Sequence, residues 1–171
     1  MKQRVKALDF RGLVELRHEA DERLSSPGQA VLVRRGVDRS LTMICPDDCG
    51  ETLTINLDQR SGAAWRIYLD GHAVSLYPSV WRHTGCRSHF ILWRSKIYWC
   101  DWNEELQSTD AEFESKVLSM LGPTLQSCAD LATQLEAVPW AVLSACRVLR
   151  RHGLASEGFG DQQGWFRHQR N

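Results

Sequence analysis

The chain has 171 residues, 21 Lys+Arg against 21 Asp+Glu, and a hydrophobic content of 43%. That suits one folded domain or two small ones, and zero net charge excludes the global basic field of a non-specific nucleic-acid binder while leaving room for a local basic patch. No run approaches the ~18 apolar residues of a membrane span, and "MKQRVKALDF" has no signal-peptide core, so the expectation is a cytoplasmic protein with no membrane partner.

Residues 12–24, "GLVELRHEADERL", read as an amphipathic helix, because Leu13, Leu16, Ala20 and Leu24 fall near one stripe. "SSPG" breaks it, and residues 1–27 are expected to form an N-terminal helical segment. From residue 28 to 103 the pattern changes to short runs rich in β-branched and aromatic residues: "AVLVRR", "SLTMIC", "TLTINL", "AAWRIYL", "AVSLYP", "HFILWR" and "KIYWC". Turn-like stretches join them, among them Asp70-Gly71, a strong hairpin signal. A small antiparallel β domain is expected here.

Residues 104–171 turn helical. The spacing predicts helices over 110–121, 124–136 and 139–152, punctuated by Pro123 and Pro139. Two short extended runs around a Gly-rich turn follow, in "LASEGFGDQQGWFRHQ". Three helices and a β-ribbon resemble a winged-helix module. Arg147, Arg150, Arg151 and His152 make its last helix basic, so DNA is one possible partner and a docking protein another. The expected fold class is α+β: a zinc-stabilised antiparallel β domain followed by a helical, winged-helix-like C-terminal domain.

Six cysteines need a reason in a reducing compartment. Cys128 and Cys146 lie inside helical patterns and read as buried core. "CPDDCG" sets Cys45 and Cys49 across a Pro- and Gly-containing turn, and "GCRSHF" and "KIYWC" add Cys86, His89 and Cys100. Structural zinc takes four ligands. Two sets are open: Cys45, Cys49, Cys86 and Cys100, or the first three with His89. The expected Zn2+ is a structural staple for a β region too small to bury much surface.

The same stretch carries Ser79, Ser88 and His89. A Ser–His pair within hydrogen-bond reach is a nucleophile with its base, and Asp70 or Asp101 is a candidate to orient the imidazole. Neighbouring strand residues point to opposite faces, so Ser88 reaches His89 less readily than Ser79 does. His18, His72, His152 and His168 read as solvated surface, and His83 as an exposed loop residue. Of Trp65, Trp81, Trp93 and Trp99, at least two are expected in the core and the rest along a groove. Arg66, Arg82, Arg87 and Arg94 are candidates to meet an acidic partner or an oxyanion.

"CPDDCGETLTINLD", "AWRIYLDGHAVSLYPSVWR" and "GCRSHFILWRSKIYWC" together resemble a bacterial family of Bub operons, the ubiquitination-like pathways. The resemblance spans about residues 28–102. It implies a zinc-carrying, serine-protease-like enzyme that processes or removes a ubiquitin-like protein, in the company of E1-like and E2-like proteins. Ser79, Ser88 and His89 match the shared motif and are carried over as catalytic candidates. The expected function is therefore a serine hydrolase, a peptidase or deconjugase acting at a ubiquitin-like C-terminal tail and its conjugates. Ser79 is the expected nucleophile, His89 its base and Ser88 the alternative, with backbone amides near 86–88 as the oxyanion donors. The alternatives are a non-enzymatic zinc-containing winged-helix adaptor binding DNA or a partner protein, and a scaffold subunit.

Overall fold

Alternating apolar residues between turn signals form eight strands in the first part of the chain. The computed structural model describes residues 3–107 and 110–169, and it divides after Glu104 into two units. In the first, β1 (Asp9–Val14), a helix α1 (Arg17–Arg23), β2 (Gln29–Arg35), β3 (Val37–Ile44) and β4 (Thr52–Asn56) precede β5 (Arg66–Asp70), β6 (Ala73–Trp81), β7 (His89–Trp93) and β8 (Lys96–Trp99). They form two four-stranded sheets in sequential order, β1-β2-β3-β4 and β5-β6-β7-β8. All pairings are antiparallel except β1 with β2, which is parallel.

One core joins the two sheets. Leu32, Leu41, Met43 and Ile55 of the first pack with Leu76, Phe90, Leu92 and Trp99 of the second. α1 covers the other face of the first sheet, where Ala20 meets Val14, Val31 and Val33. The segment before β1 stitches the sheets together: Val5 N–H donates to Pro46 O, Leu8 N–H to Ser95 O, and Lys6 O accepts from Ile97 N–H. Trp99 anchors the seam. It is fully buried, its indole N–H donates to Val5 O at 3.1 Å, and the Arg4 guanidinium lies 4.3 Å over its ring. Trp99→Ala would leave a large cavity and an orphaned carbonyl, so denaturant titration is expected to show a loss of about 3–5 kcal/mol.

The helix predicted over 12–24 is shorter than expected and follows a strand. Gly12 has φ +90°, and a bulge sits between Phe10 and Leu13, where the β1–β2 register shifts. The chain thus reaches Leu13 in extended form, pairing with Leu32. The helix starts only at Arg17, where the Glu19 carboxylate accepts from the Leu16 N–H at 2.8 Å. Leu13 and Leu16 are exposed, so only the Ala20 and Leu24 end of the apparent helical stripe packs on the sheet.

The second unit contains α2 (Ala111–Met120), β9 (Gln126–Ser127), α3 (Cys128–Gln134), α4 (Pro139–Arg151), β10 (Ala155–Glu157) and β11 (Trp165–His168). Its strands form an antiparallel sheet in the order β10-β11-β9. The side chains of Asp110 and Ser127 cap α2 and α3 by accepting from the Phe113 and Asp130 N–H groups. Pro139 opens α4 in the first turn, where its missing N–H costs nothing. The helices share a core of Val117, Leu131, Val142 and Leu149 with Phe166 of the sheet. Cys128 and Cys146 lie within it, and burial beside Cys146 pushes the Cys128 thiol far up, so it is inert. The fold is thus α+β with mainly antiparallel sheets and, among the described residues, four α-helices. Among the described residues no helix is long and apolar enough to cross a membrane.

Candidate functional site

β6 is irregular where the chemistry-bearing residues sit. Leu76 pairs with Leu92 and Val80 with Phe90, so four steps on β6 match two on β7. Residues 77–79 stand opposite Ile91 alone, a surplus of two, and Pro78 among them has no N–H for the ladder. A bulge of this kind re-aims a side chain. Here it turns Ser79 toward His89, the first residue of β7, and the Ser79 Oγ–His89 Nε2 distance is 3.0 Å.

Trp65 holds the bulge from the side, its indole N–H donating to Ser79 O at 3.3 Å. Trp81, cross-strand partner of His89, stacks on the imidazole with ring centroids 5.3 Å apart and 20° between planes. Trp81 is 59% exposed, and His83 lies against it at 4.8 Å. Trp93 and Trp99 are core. Ser79 and His89 are each half-buried, which leaves the pair open to solvent on one side.

Ser88 belongs to a different cluster. It is fully buried, and its Oγ lies 3.4 Å from Cys86 Sγ and 3.8 Å from Cys45 Sγ. His89, one residue on, points the other way. The Cys45, Cys49 and Cys86 sulfurs lie within 4.8 Å of one another. Two tight loops bring them there. Cys45 and Cys49 bracket the β3–β4 connection, where Asp48 (φ 56°) and Gly50 (φ 81°) are left-handed and the Cys45 N–H donates to Glu51 O at 2.8 Å. Cys86 sits between Gly85 (φ 64°) and Arg87 (φ 54°) in the β6–β7 connection. A side chain at Gly85 would meet the Arg82 guanidinium at 3.0 Å. The cluster thus ties a loop of one sheet to a loop of the other.

These three sulfurs could hold a metal ion. Zn–S bonds of ~2.3 Å in a tetrahedron set sulfurs ~3.8 Å apart, and Cys45 and Cys86 are 3.6 Å apart. The three are the members common to both four-ligand sets considered from the sequence. Neither proposed fourth member joins them: Cys100 stands outside the group, and the His89 ring faces Ser79. Cys100 follows the buried Trp99, where the chain leaves β8 and enters a 3-10 turn over Cys100–Trp102.

Arg82 was not singled out for this role by sequence reasoning. Its guanidinium donates to Cys86 Sγ at 3.0 Å and Cys49 Sγ at 3.6 Å, and it pairs with Glu51. Burial opposes its charge, but Glu51 and Cys86 more than offset that and raise its pKa. Burial pushes the Cys45 thiol up to about 12. Burial also acts against the Cys86 thiolate, yet hydrogen bonds from the Ser88 side chain and amide, with Cys45 and Cys49, bring it down to about 7. Cys86 is therefore the sulfur readiest to ligate.

Other candidates lie elsewhere. Asp101 is ion-paired with Arg4 at 2.8 Å, and Asp70 closes the β5–β6 hairpin opposite Ala73. Among the described residues neither hydrogen-bonds His89. The Arg87 amide donates to Thr84 O at 3.3 Å, so one of the amides expected as oxyanion donors is engaged. Arg66 lies over the Tyr77 ring at 5.2 Å and Arg94 over Trp93 at 5.1 Å. His18, His72, His83, His152 and His168 are exposed.

Residues 16–100 match the model of a family described as bacterial ubiquitination-like system serine protease (BubE). Those residues are of the BubE family. The match covers the Ser79–His89 pair and the three clustered cysteines together. No curated protein and no solved structure matches the chain. The match gives residues 16–100 a protease-like character and the context of a ubiquitin-like protein.

These positions separate the two serines by experiment. Ser88→Ala is expected to leave a serine-directed fluorophosphonate reacting within about threefold of the wild-type rate. Metal affinity should fall by roughly 10–100-fold, as for a hydrogen bond that orients a ligand. Mass spectrometry of the labelled peptide and a metal titration check both.

Proposed function

We propose that the protein is a serine peptidase that cuts after the C-terminal tail of a ubiquitin-like protein, to mature its precursor or to release its conjugates. The observation that carries this is the 3.0 Å hydrogen bond between Ser79 Oγ and His89 Nε2 beside an open face of the sheet, within the stretch matched by the BubE family. In the mechanism, His89 Nε2 takes the Ser79 proton as Oγ attacks the acyl carbon. The imidazolium returns that proton to the leaving amine or alkoxide, and an ester remains on Ser79. Water, deprotonated by the same imidazole, then frees the enzyme. β5 is an outer strand of this sheet, and an extended tail can add to such an edge by main-chain hydrogen bonds.

The cysteine cluster supplies structure. Zinc suits an all-sulfur donor set, and Cys45, Cys49 and Cys86 would hold it with Arg82 offsetting the thiolate charge. Its chemistry when bound is to cross-link the two loops. The test is cleavage of the ubiquitin-like precursor by wild type and by Ser79→Ala, Ser88→Ala and His89→Ala. Unchanged cutting in the Ser79 and His89 variants ends this reading.

The second unit reads as a winged-helix-like dock. Its element order, helix–strand–helix–helix–strand–strand, supports that. Arg150 is paired with Glu157 and Arg151 with Glu105, so two of the basic side chains that would meet DNA phosphates already have carboxylate partners. Phe159 stands 92% exposed in the turn between β10 and β11. Both features favour a partner protein, such as an E1-like or E2-like enzyme, over DNA.

A further inference from the structure

Catalytic histidines that serve a serine are usually held by a carboxylate, which fixes the ring and stabilises the imidazolium. Among the described residues no carboxylate hydrogen-bonds His89: of the two aspartates singled out from the sequence, Asp101 is ion-paired with Arg4 and Asp70 lies at the β5–β6 hairpin, opposite Ala73. Something else must hold the ring in line with Ser79.

We infer that Trp81 is the positioning residue of His89, its indole doing by stacking what an acid does elsewhere by hydrogen bonding. This rests on the Ser79–His89 dyad of the proposed function. Three observations carry it. Trp81 and His89 are direct cross-strand partners, so the backbone ladder sets their separation. The rings are nearly parallel, 20° apart with centroids at 5.3 Å, which leaves the imidazole edge, and with it Nε2, free for Ser79. The indole stays 59% exposed, unlike Trp93 and Trp99, so core packing does not account for it. His83 packs against Trp81 at 4.8 Å, and the loop that carries His83 also carries Cys86. When the imidazole takes the serine proton, the ring becomes a cation against an aromatic face, a favourable arrangement.

The test uses the full chain and a fluorophosphonate probe that has no peptide tail. In that reaction Ser79 Oγ displaces fluoride from phosphorus and its proton passes to His89, so the rate reports the dyad and not tail docking. Trp81→Leu is expected to label about tenfold more slowly, a ratio equivalent to ~1.4 kcal/mol in the barrier. Trp81→Phe, which keeps an aromatic face, should stay within about threefold of wild type. With the tail-bearing precursor the loss in Trp81→Leu should fall on kcat and leave KM near the wild-type value. Because the indole is exposed, the unfolding midpoint should not move with either substitution. Labelling of Trp81→Leu at the wild-type rate, or equal slowing by Phe and Leu, overturns the inference while the dyad stands. Absence of label on Ser79 in wild type removes the dyad itself, and the inference with it.

Discussion

Ser79→Ala is expected to lower cleavage of the ubiquitin-like precursor by 10³-fold or more, roughly 4 kcal/mol of lost barrier reduction. His89→Ala should cost about as much, and the double variant little more than either. Nucleophile and base act as one unit: a hydroxyl without its base and a base without a hydroxyl are equally idle. The hydroxyl of Ser79 is half-buried and its hydrogen bond runs to His89 alone among the described residues, so its loss should leave the unfolding midpoint within about 0.5 kcal/mol. Activity and stability therefore separate in this variant, which is what a nucleophile demands. A Ser79→Ala protein that still forms the covalent fluorophosphonate adduct would show that another residue attacks. Ser88 is poorly placed for that, being buried against two sulfurs.

The strand runs from 30 to 99 are legible in the sequence because their alternation is local. Asp70-Gly71, for one, marks its hairpin without reference to anything distant. Residues 12–24 mislead for the opposite reason. Two periodicities overlap there, and what decides between them is the pairing of Leu13 with Leu32, a contact that no local window contains. The Ser79–His89 distance is equally non-local. It depends on a two-residue surplus on β6 relative to β7, and without that bulge strict alternation would set the side chains differently. The sequence offered a clue in Pro78, which a central strand does not readily accept. For the sulfurs, spacing alone brought four cysteines into consideration. It could not weigh Cys100, because the chain leaves β8 at Trp99 and enters a 3-10 turn at Cys100, a boundary that spacing does not show. Arg82 read as a candidate for an acidic partner or an oxyanion and not for the sulfurs, because an arginine among cysteines makes sense only once thiolates are brought together in space.

Cys86→Ser is expected to lose most of the bound metal and to destabilise the first unit by about 3 kcal/mol or more, on the order of 10–20 °C in its unfolding midpoint for a domain near 100 residues. Cys86 is the link between the sheets: Cys45 and Cys49 belong to the β3–β4 loop, and only Cys86 comes from β6–β7. Removing it leaves a two-sulfur site and an Arg82 guanidinium whose remaining charged partner is Glu51. The expected loss is smaller than that of an isolated zinc finger, which unfolds without metal, because fifteen buried residues of the shared core persist. The β6–β7 loop runs directly into Ser88 and His89, so slackening it should also slow fluorophosphonate labelling of Ser79. That makes the cluster a support for the dyad though no sulfur touches it. A chelator acting on wild type should reproduce both effects, and added zinc should reverse them in wild type but not in Cys86→Ser. Cys100→Ser, altering a thiol outside the cluster, should retain the metal and the midpoint. A Cys86→Ser protein with full metal content and an unmoved midpoint would mean that the three sulfurs are simply packed against one another, and that the two sheets are held by their apolar core alone.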